Sequence, residues 1–317
     1  ANILGLIISA SFNSIITIYI LIPLLMIPQM ILGGAMFTFD KLNKDFTSPD
    51  VVPFVAEFMP SRWIYEGLMV HQYKHNNFRK NLFDIEMKES QADFKQVYYI
   101  PTLREIIDKS VEYKQEQDNL TEEEYRNNIN LIKNELSQEM NRVPSIEFEQ
   151  MDEITPGEFS EEVAQDIHQY LDRLLDHYQE KFAKANKLKE RIISANIQAD
   201  REKFEQIRND YSNESITDIV RKTFDKNKIL RKDEQLIQMV DPIYQKPEPT
   251  GYLDFRTHFF APSKHFAGHY FETLWFNIAV VWVLTFILYG VLYFDLLRKG
   301  LNFAGNLSFR FKGKKKK

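Results

Sequence analysis

Two stretches of this 317-residue chain carry no charged side chain at all, and they constrain its fold more than any other feature. Ala1 to Phe39 contain no Asp, Glu, Lys or Arg, and neither do Thr273 to Phe294. About 20 apolar residues rising about 1.5 Å each cross a hydrocarbon layer of roughly 30 Å, so a run of about 18 or more marks a transmembrane helix. The second run is one span long. The first would reach about 58 Å as straight helix, too far for one crossing. The polar segment Ser9-Ala10-Ser11-Phe12-Asn13-Ser14 divides it into the tail of an earlier span, a tight turn near Asn13 and a complete span from about Ile15 to Phe39. The run lacks the basic start and small-residue cleavage site of a secretory signal, and no initiator Met opens it, so upstream sequence is expected.

Whole-chain averages hide this pattern: 44% hydrophobic and 27% charged residues with a net charge of -5 would suit an ordinary soluble protein. The distribution of charge gives an orientation instead. After the last span come Arg298, Lys299, Arg310, Lys312 and Lys314 to Lys317 against the single acid Asp295, and basic residues flanking a span stay in the cytoplasm. The segment between the spans is then external. Removing the +6 of residues 272–317 from the net -5 leaves -11 on residues 40–271. There is no Cys, which excludes disulfides, thiolate metal sites and Cys nucleophiles together.

The external segment reads as helix. Residues 40–62 are rich in Pro and polar residues, and Arg62-Trp63-Ile64-Tyr65-Glu66-Gly67-Leu68-Met69-Val70 is amphipathic and aromatic, as an interfacial or re-entrant helix requires. The 84 residues between Gly157 and Pro242 include neither Gly nor Pro. Within them Ala164, Ile167, Leu171, Leu174, Tyr178, Ala185, Leu188, Ile192, Ala195 and Ala199 fall at alternating spacings of three and four, interrupted at Lys181, as in a coiled-coil hairpin or helical bundle. Ser160 to Ile207 as one helix would be about 70 Å long. Thr121-Glu122-Glu123-Glu124 predicts a capping box ahead of Tyr125, Ile129, Ile132, Leu136 and Met140, and a third helix is expected from Ser215-Ile216-Thr217-Asp218. Pro242, Pro247, Pro249 and Gly251 impose an extended return, and Pro262-Ser263 is expected to start a short helix leading into the last span. Aromatic residues at both ends of that span form interfacial belts.

Catalytic motifs are absent. Gly300-Leu301-Asn302-Phe303-Ala304-Gly305-Asn306 approaches a phosphate-binding loop, but Asn306 stands where the essential Lys belongs; no Gly-x-Ser-x-Gly or His-Glu-x-x-His occurs. No catalytic residue is assigned, and the acidic balance argues against nucleic acid as a partner. His71 with His75, and His265 with His269, have one-turn spacing and are the weak candidates for metal binding; chance pairing on packed helices is the commoner origin of such spacings.

Ile31-Leu32-Gly33-Gly34-Ala35-Met36, then Met59-Pro60-Ser61-Arg62-Trp63-Ile64-Tyr65-Glu66-Gly67-Leu68, and Phe271-Glu272-Thr273-Leu274-Trp275-Phe276-Asn277 together resemble the permease half of G-subfamily (White/pigment-type) ABC exporters. The re-entrant motif of Pro60, Ser61, Arg62, Trp63 and Glu66 is the most specific part. The resemblance covers roughly residues 1–75 and 262–300 and departs in the middle, where about 190 residues of Cys-free helix replace a much shorter loop commonly carrying disulfides. It implies a bacterial variant in the inner (cytoplasmic) membrane, working as a homodimer or paired half-transporter. ATP and Mg would bind a nucleotide-binding domain in the same chain or a partner subunit, so this chain would not be an enzyme by itself. Pro23, Ile27, Met30 and Gly34 fall on one helix face at i, i+4, i+7 and i+11. The resemblance makes that face the lining of a translocation cavity and makes Ala35 and Met36 its upper gate; plain helix packing accounts for the same spacing.

The expected fold is an all-α membrane protein fragment: two transmembrane helices plus a partial one, a re-entrant or interfacial helix and a large external coiled-coil-like domain. Its parts are residues 1–39 (end of one span and a complete one), 40–80 (re-entrant segment), 81–241 (helical hairpin or bundle), 242–271 (extended return and pre-membrane helix), 272–297 (last span) and 298–317 (basic cytoplasmic tail). The expected function is ATP-driven export of an amphipathic or lipidic substrate. The alternatives are an envelope scaffold whose external hairpin docks a periplasmic partner, and a ligand sensor.

Overall fold

A computed structural model describes residues 2–37, 39, 51–116, 120–232, 234–249 and 251–303. The basic residues from Arg310 onward lie outside the described residues. The described chain is mostly helical and divides into two compact units, one formed by residues 1–71, 247–259 and 263–317 and the other by residues 72–246 and 260–262.

In the first unit, α1 (Asn2–Ser11) and α2 (Ile15–Ile31) are separated by a break at residues 12–14, where the sequence places its turn. Ser14 caps α2. The expected span to Phe39 is cut short. Leu32 closes the 17-residue helix by donating to the Pro28 carbonyl, and Gly34 follows at φ 76, a left-handed conformation that glycine adopts without strain. None of the α2 residues is buried. Helix α3 (Pro60–Lys74) begins at the Pro-Ser-Arg-Trp segment. The 21-residue α10 (Thr273–Tyr293) is the one described helix long and apolar enough to cross a membrane, and only Thr273 and Asn277 in it are buried. Ile7 and Ile8 of α1 are buried, and α1 packs along α10.

The second unit is a helical bundle with its own core. Helix α4 (Phe83–Phe94) runs through a π-helical turn, Lys95–Tyr99, into α5 (Ile100–Glu116). The wide turn has a cause in the sequence: Pro101 has no N–H for the Val97 carbonyl, and the Ile100 N–H bonds five residues back to Lys95. Helix α6 (Glu122–Arg142) starts at the expected capping box: the Thr121 hydroxyl accepts from the Glu124 N–H at 3.3 Å and the Glu124 carboxylate accepts from the Thr121 N–H at 2.8 Å. Helix α7 (Glu161–Ala199) buries Ala164, Ile167, Leu171, Leu174, Tyr178 and Ala185 of the seam against α4 and α5. Beyond them Leu188 is 44% exposed, and Ala195 and Ala199 are exposed too.

The single helix expected from Ser160 to Ile207 does not form. Asp200 closes α7 in an extended conformation, and its carboxylate accepts from the Lys203 N–H at 3.0 Å, capping a separate α8 (Arg201–Tyr211). Asn213 in the same way caps α9 (Glu214–Arg221) at the third expected helix.

Two antiparallel hairpins modify the all-α expectation. Strands β1 (Ile229–Lys232) and β2 (Gln235–Gln238) attach to α6, where the buried Glu135 carboxylate accepts from the Leu236 N–H at 2.6 Å. Strands β3 (Ser263–Phe266) and β4 (His269–Glu272) replace the expected pre-membrane helix. Ala267 and Gly268 between them both have positive φ, 52° and 78°, the signature of a two-residue type I′ turn whose twist matches antiparallel strands. Pro262-Ser263 thus opens a strand rather than a helix.

Candidate functional site

The Pro60-Ser61-Arg62-Trp63 segment and Glu66 form the centre of a buried charge network inside the first unit. Pro60 opens α3, and residues 62, 63 and 66 lie on its inward face, so Arg62, Trp63 and Glu66 are all buried. Lys264 of β3 is fully buried against them: its ammonium donates to Glu66 Oε1 at 2.7 Å and to Thr257 Oγ1 at 2.6 Å. From the fifth residue of α10, Asn277 Nδ2 donates to the Trp63 carbonyl at 2.9 Å and to Glu66 Oε2 at 3.1 Å. The Arg62 guanidinium lies 3.9 Å over the Trp63 indole, with Nη1 3.2 Å from Glu57 Oε2 and 3.6 Å from Glu66 Oε2. Trp63 Nε1 in turn donates to the Glu57 carbonyl at 2.7 Å. Ser61 points the other way, its hydroxyl donating at 3.0 Å to the Gln29 carbonyl near the end of α2, where helical carbonyls lack partners.

Two carboxylates meet three cations in this cluster, since Arg256 Nε also lies 3.9 Å from Glu57 Oε1, and the two carboxylates are not equivalent. Glu66 is the better satisfied. Burial opposes its charge, but Arg62, Lys264 and the Lys264 and Asn277 hydrogen bonds together hold its pKa below the usual carboxylate value. Burial pushes Glu57 upward against the attraction of Arg62 and Lys264, and neither of its carboxylate oxygens makes a hydrogen bond among the described residues. The network is therefore a lock between α3, β3 and α10 that can take up a proton at Glu57.

The signs give a test. Glu66 contributes stability that is present above the unfolded carboxylate value of about 4.3 and is lost as pH falls through its lower folded pKa. Glu57, raised in the fold, contributes stability that is present below about 4.3 and is lost as pH rises through its folded pKa. Glu57→Gln is expected to remove the second loss, so that the variant equals or exceeds the parent at pH 7 in thermal unfolding and its advantage grows as pH rises from about 4.3 through the folded pKa of Glu57. A variant weaker than the parent by one constant margin at every pH would show Glu57 to be a satisfied, permanently charged partner.

No protein-family model, curated protein or solved structure matches the chain. The remaining sequence candidates are therefore placed by geometry alone. Pro23, Ile27 and Met30 lie on α2 with their side chains exposed, but Gly34 is three residues beyond its last residue, so the four do not form one continuous helix face. Gly34 instead lies against Phe259, where an added Cβ would come within 2.5 Å of the ring. Ala35 and Met36 are exposed in the turn that follows. Neither histidine pair has one-turn helical geometry. Helix α3 ends at Lys74, before His75, while His265 and His269 occupy opposite strands, paired with Tyr270 and Phe266. No cluster of three or more His, Asp or Glu side chains suited to a metal ion occurs among the described residues.

Sequence reasoning found Arg62, Trp63 and Glu66 but missed Glu57, Thr257 and Lys264. One signal was available: Lys264 is the single charge between Thr257 and Phe271, a segment with five Phe or Tyr residues, where a cation needs an internal partner.

Proposed function

We propose that this chain is the transmembrane permease portion of an ATP-driven ABC exporter, moving an amphipathic or lipidic substrate by alternating access. The observation that carries the reading is α10: 21 uncharged, mostly apolar residues exposed along nearly their whole length, joined near their start through Asn277 to the buried network of the Pro-Ser-Arg-Trp helix. Exposed apolar surface of that extent has a large free-energy cost in water and none in lipid. The uncharged, exposed α2 supports the same environment. In this reading the inner membrane of a bacterium holds the chain, residues of about 40–271 face outward, a second half-transporter completes the pathway, and ATP with Mg binds a nucleotide-binding domain.

A second reading has its own observation. The α7 seam continues uncovered past Ala185, which suits an envelope scaffold that docks a periplasmic protein.

The absence of Cys makes a single introduced thiol an unambiguous reporter. In intact cells, Asn209→Cys is expected to react with an impermeant thiol reagent, and Lys312→Cys only after permeabilisation. The complete protein in lipid vesicles is expected to hydrolyse Mg-ATP. The opposite labelling pattern would overturn the orientation; the expected topology without any hydrolysis would favour the scaffold.

A further inference from the structure

The β3–β4 hairpin has a feature that the lock does not explain. Successive residues of a strand point to opposite faces, and a hairpin packed on one side of a protein leaves one face apolar and the other polar. In β4, His269, Tyr270 and Phe271 are all exposed, with Tyr270 at 58% and Phe271 at 44%. Phe266 across the turn is 39% exposed. Both faces of the hairpin therefore present aromatic side chains. The one formal charge between Thr257 and Phe271, Lys264, is turned inward to Glu66, which leaves the half-buried Glu272, at the junction with α10, as the one charge on the hairpin's outer surface.

The hairpin is also continuous with the apolar helix. Glu272, the last residue of β4, is the N-cap of α10, and the Phe276 ring in the first turn of α10 contacts Phe266 and Phe271 at centroid distances of 6.1 and 6.4 Å. Trp275 beside it is 64% exposed. Aromatic rings with a polar tip partition to the headgroup layer of a bilayer, where one end is wet and the other apolar. We propose that the β3–β4 hairpin is a lipid-interface anchor, set among the headgroups and upper acyl chains of a zwitterionic bilayer at the level where α10 enters it. The proposal rests on reading α10 as a span. A surface with aromatic residues on two faces and a single part-exposed charge at the helix junction fits this lipid layer better than a charged partner, and Glu272 joins Tyr270 and Phe271 directly to Thr273, the first residue of α10.

The test uses the full chain in phosphatidylcholine vesicles with a nitroxide at one introduced Cys: Tyr270→Cys, Phe271→Cys, or His269→Cys as an independent position. Phe286→Cys in the middle of α10 and Asn209→Cys on α8 provide the deep and aqueous references, both at exposed residues. Collision with oxygen against collision with a water-soluble nickel chelate reads depth. The expected result is a shift of the hairpin labels toward oxygen and away from nickel, to values between those at Asn209 and Phe286. Hairpin labels as accessible to nickel as Asn209, with Phe286 deep, would overturn the anchor while leaving the span intact. Hairpin labels protected from both reagents would show a protein covering them and overturn the lipid assignment. Nickel access at Phe286 itself would overturn the span, and the anchor with it.

Discussion

Lys264→Met is expected to lower the stability of the first unit by about 3–5 kcal/mol, the usual result of removing one partner from a buried ion pair. Lys264 is fully buried, and its loss leaves Glu66 with Arg62 at 3.6 Å as its one remaining cation, while Glu57 keeps Arg62 and, at 3.9 Å, the part-exposed Arg256. Removing Glu66 as well should recover much of the loss. The double variant Lys264→Met with Glu66→Leu retains Glu57 with Arg62 and Arg256, and it is expected to be more stable than Lys264→Met alone. Chemical unfolding of the four members of the cycle in detergent measures the coupling. Additive effects, with the double variant weaker than either single one, would show that the two charges are satisfied independently.

Gly34→Ala should be the most damaging of the glycine substitutions, at roughly 2–4 kcal/mol, combining the cost of a left-handed backbone with the strain of an overpacked contact. The new Cβ would lie 2.5 Å from the Phe259 ring, which is held edge-on by Phe39 at a centroid distance of 4.9 Å. Gly290→Ala is the control. Nothing lies within 4 Å of its added Cβ, and alanine favours the helix interior, so it should leave the thermal midpoint unchanged or raise it slightly. Equal effects of the two substitutions would mean that Gly34 is not closely packed.

The parts of the fold legible in the sequence were those that local chemistry decides. The capping box at Thr121, the break near Asn13 and the seam from Ala164 to Tyr178 each follow from side chains within a turn or two of one another. Other features depend on what the backbone meets later. Asp200 looks like any charged residue in a long helical pattern until its carboxylate caps the next helix, and the Ala267-Gly268 turn becomes visible only when β3 and β4 pair. The same distinction holds in the site. Arg62 and Glu66 stand one helical turn apart and advertise a pair, whereas Lys264 reaches Glu66 from 198 residues away. At Gly33-Gly34 too the neighbours include residues distant in sequence: the Ser61 hydroxyl, with the Gln29 carbonyl, closes on Gly33, and the edge of Phe259 closes on Gly34.

Asn277 gives α10 the mechanics of a mast in a socket. A helix that is apolar all round has no face to tell it how to turn about its own axis. Here one buried amide near its base, held by the Trp63 carbonyl and Glu66, sets that angle for all 21 residues. The far end at Tyr293 lies about 24 Å from Asn277 at 1.5 Å per residue, so a tilt of about 10° in the socket would swing it by about 4 Å, along the side where α1 packs.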